Sequence, residues 1–512
     1  MKKHFRNILP LAALLVAACS TTDGDYSNAI VGPVSDEYAE KGYVEPGIPE
    51  EGGDKFEEFA DNPFVNVSEE PTSTFSVDAD GASYAIMRRY ITNGRQISPS
   101  SVRIEEFLNY FTFDYLSPTG SDAVAINAEV GDCPWNSEHK LLRLGLKGKD
   151  LKADEVPLAN FVFLVDVSGS MDTPDKLELL KSGLIELLGQ LRPDDRISLI
   201  TYSGEVQKLL ESTAVREADK IKKAIKKLSA DGFTAGGEAL KMAYQEALAN
   251  YDPAKNNRII MGTDGDFNVG VTSTEALVEM VESYAKKGIY MTCLGFGTGN
   301  LNDAMMEKIS NSGNGNYYYI DCEDEMMKVF VHERERFVSV ANDTKCQITF
   351  NPAYVSQYRL IGYENRVMSN EDFEDDTKDA GEIGAGQTIT ALYEIVPVDF
   401  TLIDLPPDYT QHFIATFDVR YKKSLDGQSY PLQRQVNLEE LFTKQMRSSD
   451  YYFAAGVAAY GMILRNSPYK GSATYALAKE LIGDGLTFDP HGYRAALLKL
   501  IEKAERQKTD KE

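Results

Sequence analysis

The sequence predicts a multidomain α/β protein: a doubly wound, mostly parallel sheet inserted in a β-sandwich, followed by a C-terminal helical region. Three observations predict it. Between about residues 159 and 340, short apolar strands alternate with helical segments, the pattern of βαβ crossovers and of a parallel sheet covered on both faces. On either side of that region the runs are short, β-rich and broken by turns. Two strands alone make no stable sheet, so those before residue 159 are expected to pair with those after 340, leaving the α/β region as an insertion.

The elements follow in order. Residues 1–18 read as a leader: Lys2, Lys3 and Arg6 are a positive start, and Ile8–Ala18 is an apolar run too short to cross a bilayer. Residues 19–70 read as an acidic disordered tether; residues 21–70 hold 14 Asp/Glu and 2 Lys/Arg, which is -12 of the chain's net charge of -26. In the region 71–158, Ser73–Val77 alternates like a strand, Ala82–Ile91 and Val102–Phe111 have helical spacing, and 123–131 and 140–147 read as strands. The α/β region 159–340 has strands at 160–166, 196–202, 258–263, 289–296 and 316–320. Helices are expected at 175–190, 216–228, 236–250, 273–287 and 302–310, and a last one at about 324–339. Region 341–440 adds strands at Cys346–Phe350, Tyr358–Tyr363, Thr388–Val396, Phe413–Tyr421 and Tyr430–Val436. In 441–512, Ser449 or Asp450 caps a buried helix to Leu464, a second runs 472–482, and a third starts with Asp489 as cap.

With 512 residues the chain is long enough for two to four domains, and 43% hydrophobic content with 28 Tyr and 23 Phe can fill their cores. The net charge of -26 argues against nucleic acid as a partner, because phosphate binding needs clustered Lys and Arg. Val16-Ala17-Ala18-Cys19 resembles the bacterial lipobox, which implies lipidation of Cys19 and anchoring to a membrane of the bacterial cell envelope. Ser20, where an inner-membrane retention signal would have Asp, implies the outer membrane; whether the protein faces the periplasm or the exterior is left open. A soluble secreted protein cut after Ala18 is the competing reading. Cys133, Cys293, Cys322 and Cys346 permit three full pairings, although Cys293 lies in an apolar run and reads as a buried thiol.

Phe161–Ser170 carries the chemistry. A strand-like apolar run ends in Asp166-Val167-Ser168-Gly169-Ser170, placing an acid and two hydroxyls at a strand's carboxyl end, where open α/β sheets bind ligands. Such oxygen groups suit a hard cation. Gly232–Gly237 is a Gly-rich loop with one hydroxyl, Thr234, and Arg258–Thr263 is a second strand ending in an acid, Asp264. Together these resemble the metal-ion-dependent adhesion site of von Willebrand factor type A domains, which implies Asp166, Ser168, Ser170, Thr234 and Asp264 as the metal set. The implied cofactor is Mg²⁺, with Mn²⁺ or Ca²⁺ able to replace it. Further stretches resemble the flanking regions of a bacterial group of such lipoproteins: Thr74–Asp78, Val102–Glu106 with Asn109–Phe111, Cys133–Asn136, Gly381–Gly386 and Ser467–Gly471.

Neutral hydroxyl ligands leave a bound cation electron-poor, so an open coordination position would attract an acidic side chain of a partner protein. The expected function is therefore adhesion, scaffolding or assembly, without bond-breaking chemistry. A structural protein whose metal only stabilises the fold is the alternative, and a metal-dependent hydrolase is the third reading. The five histidines, His4, His139, His332, His412 and His491, form no H-E-x-x-H, and no G-x-S-x-G is present. The acidic run Asp372, Glu374, Asp375, Asp376 and Asp379 lacks EF-hand spacing and reads as a solvated hairpin loop.

Overall fold

The computed structural model describes residues 53–509, apart from 233–235, 266–273, 402–405, 426 and 443–445. The expected architecture is observed. One six-stranded sheet has the order Tyr317–Ile320, Ile289–Phe296, Lys255–Thr263, Leu158–Asp166, Arg196–Tyr202, Val206–Ala214. Every neighbouring pair is parallel except the last. Side chains alternate along the central strand: Phe161, Phe163 and Val165 enter one core with Leu180, Leu184 and Leu187, while Val162 and Leu164 enter another with Leu240, Ala243 and Met261. Burial on both faces explains why these strands read as unbroken apolar runs.

Two β-sheets pack around a separate core. One has the order Val65–Asn66, Val355–Ile361, Thr388–Pro397, Lys140–Gly148, Val124–Asp132. The other runs Val367–Met368, Thr72–Ser76, Ser339–Phe350, Phe413–Lys422, Ser429–Asn437, with Gly381–Gly384 also on Ser339–Phe350. Strands from before and after the parallel sheet are thus neighbours: Leu146 lies opposite Ile389, and Phe75 opposite Cys346. A fourth core joins the helices Ala82–Thr92 and Ile104–Asn109 to the C-terminal helices through Tyr84, Phe111, Trp135, Phe453 and Leu497.

Four expectations need correction. Residues 53–70 are not tether. Val67 is buried, Asn62 donates to the carbonyls of Leu360 and Gly362 at 3.2 and 2.8 Å, and Phe64 meets His139 and Tyr469 edge-on. The leader and residues 19–52, including Cys19, lie outside the described residues. The last helix of the α/β region is broken into Glu323–Met327, a π-turn Lys328–His332 and a 3₁₀ turn Arg334–Phe337, with the next strand starting at Ser339 rather than Cys346. The break buries Lys328 against Glu333 at 2.7 Å and over the Tyr110 ring. Val206–Ala214 is an edge strand that the sequence did not announce. In the C-terminal region Ser448 caps the helix Ser449–Arg465, and Asp489 accepts from Arg494 N and Ala495 N just inside a helix that begins at Tyr493. Cys133, Cys293, Cys322 and Cys346 are all free thiols.

Candidate metal centre

The central strand Leu158–Asp166 has Arg196–Tyr202 on one side and Lys255–Thr263 on the other. Chain connections therefore run in opposite directions from it, and the crevice at its carboxyl end is the topological switch point where such sheets bind ligands. Asp166 ends this strand, and Asp264 follows the last residue of its neighbour. Local geometry then fixes each group. Asp166 Oδ1 accepts from Ser168 N at 2.9 Å, bending the chain into the turn, and Asp166 Oδ2 accepts from Thr263 Oγ1 at 3.0 Å, tying the two strand ends together. Ser168 and Ser170 present hydroxyls 3.1 Å apart. The segment leading into the Gly-rich loop lies beside them: Gly169 N donates to Gly232 O at 3.1 Å, and Asp231 N to Val167 O at 2.7 Å. Gly232 itself has φ +82, a backbone conformation that strains other residues.

Asp166 and Asp264 are fully buried, Ser168 is buried and Ser170 is exposed. The site is a well with a carboxylate floor that opens to solvent at Ser170. Burial pushes the Asp166 carboxyl up to about 6, against the opposing hydrogen bonds from Ser168. Burial also raises Asp264, but hydrogen bonds from Lys176 and Ser170 outweigh it and hold that carboxyl below its usual range. Of the five expected residues, the structure brings together Asp166, Ser168, Ser170 and Asp264; Thr234 lies outside the described residues.

Sequence reasoning missed two groups. Thr263 looks like an ordinary strand residue. Lys176 lies in the π-turn Pro174–Glu178, and its Nζ donates to Asp264 Oδ2 at 2.9 Å and to Ser170 O at 2.8 Å. Gly297, at φ +70, leaves space for the lysine stem, because a side chain there would strike Lys176 Cε. Lysines are common in helices, and nothing local marks this one. Its position supplies the test of fit: an all-oxygen well that already draws in an ammonium group is chemically suited to a hard divalent cation. Residues Asp166, Ser168, Ser170 and Asp264 would hold it.

Other candidate sites dissolve. Asp376 of the acidic run pairs with Arg420 at 3.0 Å and accepts from Ser429 Oγ, and Lys345 Nζ reaches the carbonyls of Asp372 and Asp375.

Comparison with known proteins agrees with the fold. Residues 160–331 match the model of the von Willebrand factor type A domain, residues 50–143 a model described as von Willebrand factor, and residues 335–507 the model of the C-terminal part of the uncharacterized protein YfbK. The chain is 37% identical over 479 residues to the uncharacterized protein YfbK of Escherichia coli K12, covering 90% of this chain and 82% of that one. It is 29% identical over 202 residues to mouse inter-alpha-trypsin inhibitor heavy chain 4, covering 37% of this chain and 21% of that one. A von Willebrand factor type A structure from Catenulispora acidiphila superposes at a TM-score of 0.41 with 15% identity, over 72% of this chain and 88% of that one. With three matched regions in series and the Escherichia coli relative spanning nearly the whole chain, this protein belongs to the YfbK family of bacterial von Willebrand factor type A proteins.

Proposed function

We propose that this protein is a lipid-anchored envelope protein that binds a partner protein through a divalent cation at the carboxyl end of its parallel sheet. One observation carries the reading: two buried carboxylates and two hydroxyls converge at the switch point, and the set meets solvent at Ser170. A bound Mg²⁺, or Mn²⁺ or Ca²⁺ in its place, would offer an oxygen-seeking position to an acidic side chain of the partner. The protein's own groups do the rest. Ser168 and Ser170 would hold the ion through neutral oxygens, Asp166 and Asp264 would supply charge, and Thr263 fixes the orientation of Asp166. Thr234 completes the set through the family motif. The role is adhesion or assembly, with no catalytic step.

The anchor rests on Val16–Cys19, and Ser20 favours the outer membrane. Among the described residues no helix is long and apolar enough to cross a membrane. The test is a pull-down from envelope extract in Mg²⁺ and in chelator, with wild type beside Asp166→Ala. Partners retained only by wild type in Mg²⁺ are expected. An identical set in all lanes would overturn the reading.

A further inference from the structure

A further loop bounds the metal centre, and its support comes from outside the inserted domain. Residues 297–302 connect the strand Ile289–Phe296 to the helix Asp303–Ser312. This loop touches the metal centre at three points. Gly297 makes room for the stem of Lys176, whose ammonium holds Asp264. The Asn300 side-chain amide donates a hydrogen bond to Asp264. Leu301 and Asn302 press on Gly265, the residue after that carboxylate: a Cβ there would stand 2.7 Å from both Leu301 Cα and Asn302 N. The orientation of Asp264 is therefore set by this loop as well as by its own strand.

The other side of the loop is held by the N-terminal flank. Asp54 Oδ1 accepts from Gly299 N at 2.6 Å and from Leu301 N at 3.1 Å, and Asp54 Oδ2 accepts from the Tyr90 hydroxyl. Lys55 N donates to Leu301 O at 2.9 Å, and Arg95 Nη1 to Thr298 Oγ1 at 3.2 Å. Gly297 and Gly299 stand at φ +70 and +104, a backbone that other residues rarely adopt, and it turns two N–H groups toward one carboxylate. Such charge-assisted bonds are roughly twice as strong as neutral ones. The loop is thus clamped between two acids, Asp264 of the metal set and Asp54, which touches no residue of that set. We propose that Asp54 is a positioning residue of the metal centre: by capping residues 297–302 it keeps Asn300 on Asp264 and Leu301 against Gly265, so that the N-terminal flank sets the affinity of the site. This rests on the reading of the switch point as a cation site. Among the described residues Asp54 is the first bonded to the body, and tension arriving along the chain from its N-terminal side would load this cap.

The test is Mn²⁺ calorimetry on the full chain, with a melting curve in chelator to confirm that each variant folds. Asp54→Ala should weaken Mn²⁺ binding by at least about fivefold, the lower end of coupling between distinct sites. Asp54→Asn keeps an oxygen for both N–H groups and should bind like wild type, which separates positioning from the loss of a nearby negative charge. Asn300→Ala should weaken binding as well, and Asp54→Ala added to it should change little more, because both act through one contact. If Asp54→Ala does not fold, Tyr90→Phe, which frees Asp54 Oδ2, is read in its place, lowering affinity in wild type and not in Asn300→Ala. Wild-type affinity in Asp54→Ala would overturn the proposal. So would equal losses in Asp54→Ala and Asp54→Asn, or losses from Asp54→Ala and Asn300→Ala that add in full. In each of these cases binding that Asp166→Ala still abolishes would leave the cation site standing. A wild type that binds no Mn²⁺ would remove both.

Discussion

Replacing Lys176 with Met should make the apo protein weaker and its hold on metal stronger. Lys176 Nζ stands 2.9 Å from Asp264 Oδ2, with the two side chains 11% and 0% exposed. At an effective dielectric of about 20, two unit charges at that separation attract by roughly 6 kcal/mol before desolvation is counted. Removing one partner of such a buried pair destabilises by about 3–5 kcal/mol, because the remaining charge is left uncompensated. The same ammonium opposes a divalent cation, which must take Asp264 over and tolerate a positive neighbour. Both effects close the cycle in one direction: the substitution raises the free energy of the apo state more than that of the loaded state. A net gain of only 1.4 kcal/mol is a tenfold tighter dissociation constant. Mn²⁺ titration by calorimetry, with melting curves in Mn²⁺ and in chelator, measures both sides. Lys176→Met should melt lower than wild type in chelator and recover in Mn²⁺, while Lys176→Arg, which keeps the charge, should bind as weakly as wild type. Equal or weaker Mn²⁺ binding by Lys176→Met would refute the reasoning, provided wild type binds and Asp166→Ala does not.

Three further outcomes are expected. Asp166→Ala and Thr234→Ala should each weaken Mn²⁺ binding at the switch point at least tenfold by calorimetry, the first more than the second, because Asp166 supplies both charge and the fold of the Ser168 turn. Cys19→Ser should move the protein from the membrane fraction to the soluble envelope fraction and abolish labelling by a lipid precursor. Glu105 is 1% exposed, and neither of its carboxylate oxygens has a partner. Burial, with help from Glu364 and Asp78, pushes its carboxyl up to about 8. A raised carboxyl binds a proton more tightly folded than unfolded. Its contribution is therefore fully present below the unfolded value of about 4.5 and is lost as pH rises toward 8, by up to about 1.4 kcal/mol per pH unit. Glu105→Gln should flatten the stability profile in that window, and denaturant titrations at pH 5 and pH 8 with an unchanged slope difference from wild type would reject this.

How much of the fold could be read depended on which faces each element buries. The strands Leu158–Asp166 and Ile289–Phe296 are covered on both sides, so their sequences are continuous apolar runs. Val206–Ala214 is an antiparallel edge strand whose Gln207, Lys208 and Glu211 face solvent, and a half-exposed edge of that kind resembles a polar loop. The segment 53–70 misled through its charge. Its acids are exposed at Glu57, Glu58, Glu69 and Glu70, while Val67 and the Asn62 amide hold it to the body; composition records the acids and not the few anchors. The last helix of the inserted domain failed for a tertiary reason. Lys328 and Glu333 form a buried pair five residues apart, and Glu333 N bonds to Lys328 O at 2.8 Å, a spacing that only a π-turn satisfies.

The site divides along the same line. Asp166, Ser168, Ser170 and Asp264 could be read because their positions are local: each stands at or just after the end of an apolar strand, where the turn is forced to expose it to the switch point. Lys176 could not, because its meaning comes from a carboxylate 88 residues away. Yet Lys176 decides how the site is charged. Two buried carboxylates and one ammonium leave the well one positive charge short, and among the described residues no other cation pairs with Asp166. A divalent ion does not neutralise such a well but overshoots it by one. A loaded site would then carry net positive charge behind neutral hydroxyls, and the single partner carboxylate proposed above would complete both the coordination and the charge.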